Sequence, residues 1–259
     1  MQVSHFRRFT WTNERKDQIM NVLKIVLLVI FIGLGCLLSG CGDTEPNTVS
    51  DYFEEGYGYY YNGKYKQAIT AFQKVVEIDP SYVRAHFFMA VVYREQGRLE
   101  DAITKLKQTI EIDPKDPTRE EAYTAEEAYI TLGQIYRQQG KLEDAIASYQ
   151  KVVEMGLNVT TGHFNLGEIY KEQGKLDDAI DEFKKVIEIE PRGTEAPYNL
   201  ACVYSLKNQP KLAIEYLQKA IDKLPKPIDP DDFIEWSKTD PDLDNIRQTP
   251  EYQQLINSY

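Results

Sequence analysis

"YREQGRLEDAI" at Tyr93–Ile103, "YRQQGKLEDAI" at Tyr136–Ile146 and "YKEQGKLDDAI" at Tyr170–Ile180 are three near-copies of one eleven-residue string. Working outward from them, a tyrosine recurs at Tyr59, Tyr93, Tyr136, Tyr170 and Tyr204. An alanine follows each by nine residues, at Ala68, Ala102, Ala145, Ala179 and Ala213. Every interval is 34 residues except that between the second and third copies, which is 43. Gly56, Gly133 and Gly167 precede three of the tyrosines, with Ala90 and Ala201 in the other two copies. A ring or leucine follows each alanine by four, at Phe72, Leu106, Tyr149, Phe183 and Leu217. Pro80, Pro114, Pro191 and Pro225 close four copies, and Leu157 stands in that place in the third.

These residues predict paired helices. In the first copy Ala68, Ile69, Phe72, Val75 and Val76 fall on one helical stripe. Gly63, Gly97, Gly140 and Gly174 sit where one helix must end and the chain reverse, which favours a residue tolerant of positive φ. The prolines stop the second helix. Small residues such as Gly56 and Ala68 let the two helices approach closely. One such pair cannot bury its apolar stripe alone, so neighbours must stack into a right-handed solenoid with first helices lining the concave face.

The 34-residue skeleton resembles the tetratricopeptide repeat. Its common early tryptophan is replaced by Tyr52, His86, Tyr129, His163 and Pro197. The resemblance implies an all-α, right-handed superhelical solenoid of about five helix-turn-helix units over 49–82, 83–116, 126–159, 160–193 and 194–227. Residues 117–125, "PTREEAYTA", are an insertion, and Thr118-Arg119-Glu120-Glu121 within it has a capping-box pattern. The insertion is read as an N-terminal extension of the third unit's first helix. Residues 228–259 change pattern, and Phe233, Ile234, Trp236, Leu243, Ile246, Tyr252, Leu255 and Ile256 predict two short amphipathic helices as a C-terminal cap.

The amino terminus reads differently. Ile25–Leu38 is fourteen residues without a charge, preceded by Lys24 and four further basic side chains. That length suits a secretory signal and falls short of the ~20 residues of a comfortable membrane helix. The run ends in Leu38-Ser39-Gly40-Cys41, which resembles a bacterial lipoprotein lipobox, whereas Cys36, with Gly33 three residues before it, fits that pattern less well. The resemblance implies a signal peptide over 1–40, lipidation of Cys41 and a lipid-anchored linker over 41–48. Met20 offers a compact alternative start, which would make residues 1–19 a start-site artefact. Gly42–Thr48 would span at most ~25 Å, keeping the body near the membrane. An uncleaved anchor is the other reading of this segment.

Charge and chemistry narrow the function. The first forty residues carry five basic and two acidic side chains, leaving 25 basic against 39 acidic beyond them. Such a body repels phosphate backbones, so nucleic acid is not an expected partner. Three cysteines make no disulfide framework, and Cys202 stands alone without His or Lys nearby in sequence. His86 and His163 occupy equivalent packing positions two repeats apart, and His5 lies in the leader, so no metal is expected. Asp240-Pro241-Asp242-Leu243-Asp244 with Glu251 imitates a calcium loop but lacks the mid-loop glycine. These aspartates read better as helix caps. No phosphate loop or nucleophile elbow is present, so neither catalysis nor a cofactor is expected.

The concave surface is the candidate site. Its expected lining is Phe53, Tyr57 and Tyr60; Phe87, Val91 and Arg94; Ile130, Gln134 and Arg137; Phe164, Glu168 and Lys171; and Tyr198 with Cys202. Aromatics interspersed with basic residues suit a peptide carrying apolar anchors and acid. Relatives that clamp a peptide's terminal carboxylate use lysine and asparagine where this chain has Phe53 and Tyr57, which disfavours a chaperone-tail receptor. The expected function is a non-catalytic, lipid-anchored scaffold of the bacterial cell envelope, its body outside the cytoplasm. Its resemblance to lipid-anchored repeat proteins implies a part in pilus or secretin biogenesis, outer-membrane assembly or hydrolase control. A cytoplasm-facing co-chaperone or the docking subunit of an enzyme remain as alternatives.

Overall fold

The computed structural model describes residues 48–112, 119–224 and 230–258. Among them every regular element is helical. Ten helices form five antiparallel pairs: α1 (Val49–Tyr61) with α2 (Tyr65–Ile78), α3 (Val83–Glu95) with α4 (Leu99–Glu111), α5 (Arg119–Gln138) with α6 (Leu142–Met155), α7 (Val159–Glu172) with α8 (Leu176–Ile189), and α9 (Glu195–Leu206) with α10 (Pro210–Asp222). Each pair packs on the next, building the right-handed solenoid. No described helix is long and apolar enough to cross a membrane; the segment expected to be a signal peptide, Cys41 and the expected linker up to Asn47 lie outside the described residues.

The recurring string is the turn between paired helices. Gly63, Gly97, Gly140 and Gly174 all have φ between 68° and 73°. In each turn the amide of the residue immediately before the second helix returns to the tyrosine carbonyl: Lys64, Arg98, Lys141 and Lys175 bond Tyr59, Tyr93, Tyr136 and Tyr170, each at 2.9 Å. This is a left-handed C-terminal cap, repeated four times. The same basic residue lies over the same tyrosine ring, closest for Arg98 over Tyr93 at 4.3 Å. In the fifth unit Asn208 takes the glycine's place at φ 55°, and Gln209 bonds Tyr204. Asparagine is the non-glycine residue best suited to that region.

The string's other polar letters tie units together. Gln139 donates to Glu100 at 3.1 Å, Gln173 donates to Glu143 at 3.4 Å, and Lys207 pairs with Asp177. In each case the residue before the turn reaches the acid opening the preceding unit's second helix. The apolar letters are core: Ala68, Ala102, Ala145, Ala179 and Ala213 are fully buried, as are Phe72, Leu106, Tyr149 and Phe183.

The third unit departs from the others. Its first helix begins at Arg119, so most of the insertion adds turns to α5; Thr118 lies outside the described residues. Where the other units use proline, α6 ends on Gly156 at φ 79°. The fully buried carboxylate of Glu126 accepts from the amides of Leu157 at 3.1 Å and Asn158 at 2.8 Å, and from the Asn158 side chain. One side chain thus satisfies the loop that a proline would otherwise stiffen.

The cap is more broken than the two helices expected. It consists of α11 (Pro230–Ser237), a 3-10 turn (Pro241–Leu243), α12 (Asp244–Arg247) and α13 (Pro250–Ile256). Asp240 and Thr249 each cap the element that follows, with proline at its first position, so the chain restarts twice. Ile234, Leu243, Ile246, Tyr252 and Leu255 are buried against α9 and α10.

Candidate functional site

The inner wall is built from α1, α3, α5, α7 and α9. Several expected contacts prove to be structural. Phe53 is 2% exposed, with Tyr82 at 5.3 Å, Phe72 and Phe88 at 5.6 Å, and the Arg84 guanidinium 4.5 Å from its ring. The second unit closes over it, so Phe53 is a core residue and offers no face to a ligand. Phe87 and Val91 are also buried, in the core shared by α3 and α5.

Tyr198 and Cys202 are covered by the cap. Trp236 lies 4.5 Å and Phe233 5.5 Å from the Tyr198 ring, whose hydroxyl donates to Asp240 at 2.5 Å. Cys202 is fully buried beside the same carboxylate. Burial and then the Asp240 charge push its thiol well above the usual range, so it remains a protonated packing group. The cap thus closes the wall at the fifth unit's first helix.

Two of the basic residues are already neutralised. Arg137 donates to Glu168 at 3.1 Å and to Glu172 at 2.5 Å. Burial works against its charge, but the bond to Glu172 and the attraction of both carboxylates hold its pKa above the ordinary value. Lys171 pairs with Asp242 of the cap at 3.0 Å and with Glu168 at 3.5 Å. Burial likewise opposes its charge, and Glu168 and Asp242 outweigh that penalty. Arg137, Glu168 and Lys171 therefore join units rather than await an acidic partner.

The aspartates of the calcium-like stretch are spent on structure. Asp240 accepts from the Asp242 amide at 2.9 Å, Asp242 faces Lys171, and Asp244 pairs with Arg247. Ligand atoms of Cys202, Asp240 and Asp242 do lie within 4.8 Å of one another, but Lys171 already supplies the compensating charge.

An aromatic strip on α1 and α3 remains available. Tyr57 and Tyr60 are half-buried, and Tyr61, overlooked in the sequence, is 48% exposed. Tyr57 and Tyr61 share a hydroxyl bond of 2.9 Å with rings 4.7 Å apart. Burial, followed by that bond, raises the Tyr57 pKa, so the phenol is neutral. Phe88, also overlooked, forms the strip's floor, 5.1 Å from Tyr57 and 6.1 Å from Tyr60. Arg94, Ile130 and Phe164 are partly exposed along the same wall, and Gln134 is exposed. The signal for Tyr61 lay in "YGYYYNG" at 57–63, where four tyrosines within five positions cannot all face the core of one helix.

Family models of the tetratricopeptide repeat match residues 53–117, 133–174, 161–192 and 195–222. No curated protein matches the sequence. Among solved structures, MamA is similar at 26% identity and TM-score 0.57, over 68% of this chain and 91% of that one. YrrB, a repeat protein with an unusual peptide-binding site, is similar at 23% identity and TM-score 0.54, over 70% of this chain and 88% of that one. Pseudomonas aeruginosa PilF is similar at 20% identity and TM-score 0.56, over 82% of this chain and 97% of that one. The last two likenesses concern the fold alone. Stacked repeats of this kind make the molecule a scaffold for protein–protein interaction. The chain belongs to the tetratricopeptide-repeat family.

Proposed function

We propose that the chain is a non-catalytic adaptor of the bacterial cell envelope. Lipid on Cys41 tethers it on the outer side of the cytoplasmic membrane or in the outer membrane, and its inner wall holds a segment of a membrane-associated partner. The carrying observation is the aromatic strip of Tyr57, Tyr60 and Tyr61 over Phe88, apolar surface left uncovered while the far end of the wall is closed by the cap. The tether rests on the charged, apolar and lipobox segments read in order from Arg7 to Cys41. Assembly of envelope machinery, such as pili, secretins or outer-membrane proteins, or control of envelope hydrolases, is the setting this combination suits.

Burying ~400 Å² of apolar surface would contribute about 10 kcal/mol before association costs. Exchangeable, micromolar binding follows, and the tether raises the effective concentration of a neighbouring partner. Two measurements test the reading. Labelled palmitate should enter the wild-type protein and not Cys41→Ser. A photocrosslinker at Tyr57 or Tyr61 should capture one discrete partner in cells, and Tyr57→Ala with Tyr61→Ala should abolish its co-purification at unchanged thermal stability. Equal co-purification would remove the strip from the proposal.

A further inference from the structure

Arg94, Arg137 and Lys171 stand at one equivalent position in successive units, 43 and 34 residues apart. Each reaches toward the next element along the wall. Arg137 meets two carboxylates there, Glu168 and Glu172. Lys171 meets Asp242, supplied by the cap, and also donates to Asn199 at 3.1 Å. Among the described residues Arg94 meets none from the third unit, where Gln134 and Gln138 occupy the places of Glu168 and Glu172. It makes a long bond to Gln134 at 3.4 Å and a contact of 3.3 Å with Glu95 on its own helix, the two side chains 33% and 40% exposed. A solvated neighbouring pair of that kind neutralises little.

This rung, with no acid from the unit that follows, borders the tyrosine strip. Tyr60 packs against the core that contains Phe87 and Val91, one turn from Arg94. At the other end of the wall the molecule displays what completes such a rung from outside the repeats. Residues 233–242 lay Phe233 and Trp236 on Tyr198, then bring Asp240 to its hydroxyl and Asp242 to Lys171. We propose that Arg94 is the wall's anion anchor, and that the partner is a protein segment carrying aromatic side chains followed by carboxylates, seated on Tyr57–Tyr61 and Arg94 with the ring-to-ring and carboxylate-to-cation pairing that residues 233–242 make on Tyr198 and Lys171, but running in the opposite direction along the wall. The inference rests on the wall being a peptide-binding surface and names the chemistry of its occupant.

The test titrates the mature chain, from Cys41 onward in detergent, against a fluorescent peptide of sequence DFIEWSKTDPDL, residues 232–243. Saturable, salt-sensitive binding is expected, about tenfold weaker when both late aspartates of the peptide are asparagine. Arg94→Gln should weaken it by about the same factor. Gln134→Glu should weaken it comparably, because it supplies the missing acid internally, while leaving thermal stability equal or higher. A photoreactive group at the peptide's tryptophan position should label Tyr57–Tyr61. Absence of saturable binding, unchanged affinity in both Arg94→Gln and Gln134→Glu, or labelling around Tyr198 by displacement of the cap would each overturn the proposal. If Tyr57→Ala with Tyr61→Ala weakens binding and the Arg94 and Gln134 variants do not, the anchor falls and the wall stands. If neither set weakens it, both fall.

Discussion

A Cβ placed on Gly56 would lie 2.7 Å from Cε1 of Phe72, closer than real side chains approach. The same holds for Gly133 against Tyr149 at 2.6 Å and Gly167 against Phe183 at 2.8 Å. In the two units with alanine at this place, Ala90 and Ala201, the facing residue is leucine, Leu106 and Leu217. Ring with glycine and leucine with alanine are two solutions for filling one helix–helix seam. Gly56→Ala should therefore destabilise the fold by about 1–3 kcal/mol through overpacking, despite alanine's better helix propensity. Adding Phe72→Leu should recover most of that loss, since it installs the second solution. Urea unfolding of the two single variants and the double variant checks the pair, and a purely additive result would contradict it.

Glu126 makes a prediction of another kind. Its buried carboxylate is the acceptor for two loop amides and one side-chain amide. Glu126→Ala would leave those donors unsatisfied and should cost about 3 kcal/mol, whereas Asn158→Ala, which removes one donor, should cost about 1 kcal/mol. Hydrogen exchange at the Leu157 and Asn158 amides should accelerate in Glu126→Ala, with the turn amides of Gly97 and Gly174 unaffected.

These two cases show where the sequence is informative. Unit number, turn glycines and buried alanines were legible because one residue type recurs wherever one backbone or packing demand recurs. Glu126 and Asn208 were not, because each is a single substitute for a recurring device and leaves no period. The wall was misread at Phe53, Tyr198, Arg137 and Lys171 for one physical reason. Positions three and four apart on a first helix face inward in isolation, yet whether they meet solvent depends on what the following unit or the cap lays over them. Tyr82 and Arg84 cover Phe53, and Trp236 covers Tyr198. Such contacts span units and are invisible to periodicity.

The buried thiol and phenols set an alkaline limit. Burial first, and Asp240 second, raises the Cys202 pKa; burial also raises those of Tyr149, Tyr198 and Tyr57. The unfolded chain releases these protons near their ordinary values, about 8.5 for a thiol and about 10 for a phenol, while the folded chain retains them. Above about pH 8.5 the unfolded state then binds fewer protons, so stability must fall as pH rises. Lys171 acts in the same direction, because its raised pKa gives stability present below the ordinary lysine value and lost as pH climbs through the folded one. Tm should be level from about pH 7 to about pH 8.5 and decline above it, and Cys202→Ala should flatten the first part of that decline. A Tm unchanged to about pH 11 would contradict the assignment.

Arg137 should govern how far the two ends of the solenoid unfold together. Stability in stacked repeats is a sum of unit and interface contributions, so weakening one interface lowers cooperativity as well as total stability. The Arg137 side chain is 19% exposed and that of Glu168 10%, so Arg137→Met takes a cation away from a nearly buried carboxylate. A cost of about 2–3 kcal/mol is expected, below that of a fully buried pair because water reaches part of the site. Gln139→Ala, on the exposed outer link to Glu100, should cost less than about 0.5 kcal/mol. Trp236 is the one tryptophan from Cys41 onward and sits on Tyr198, so its fluorescence reports the carboxyl-terminal end while circular dichroism reports every helix. In the wild type the two denaturation curves should coincide. In Arg137→Met they should separate, and in Arg137→Met with Glu168→Met they should converge again, because the double change removes the stranded charge and restores an apolar contact across the same seam. Coincident curves in all three proteins would show that the ion pair does not carry the coupling.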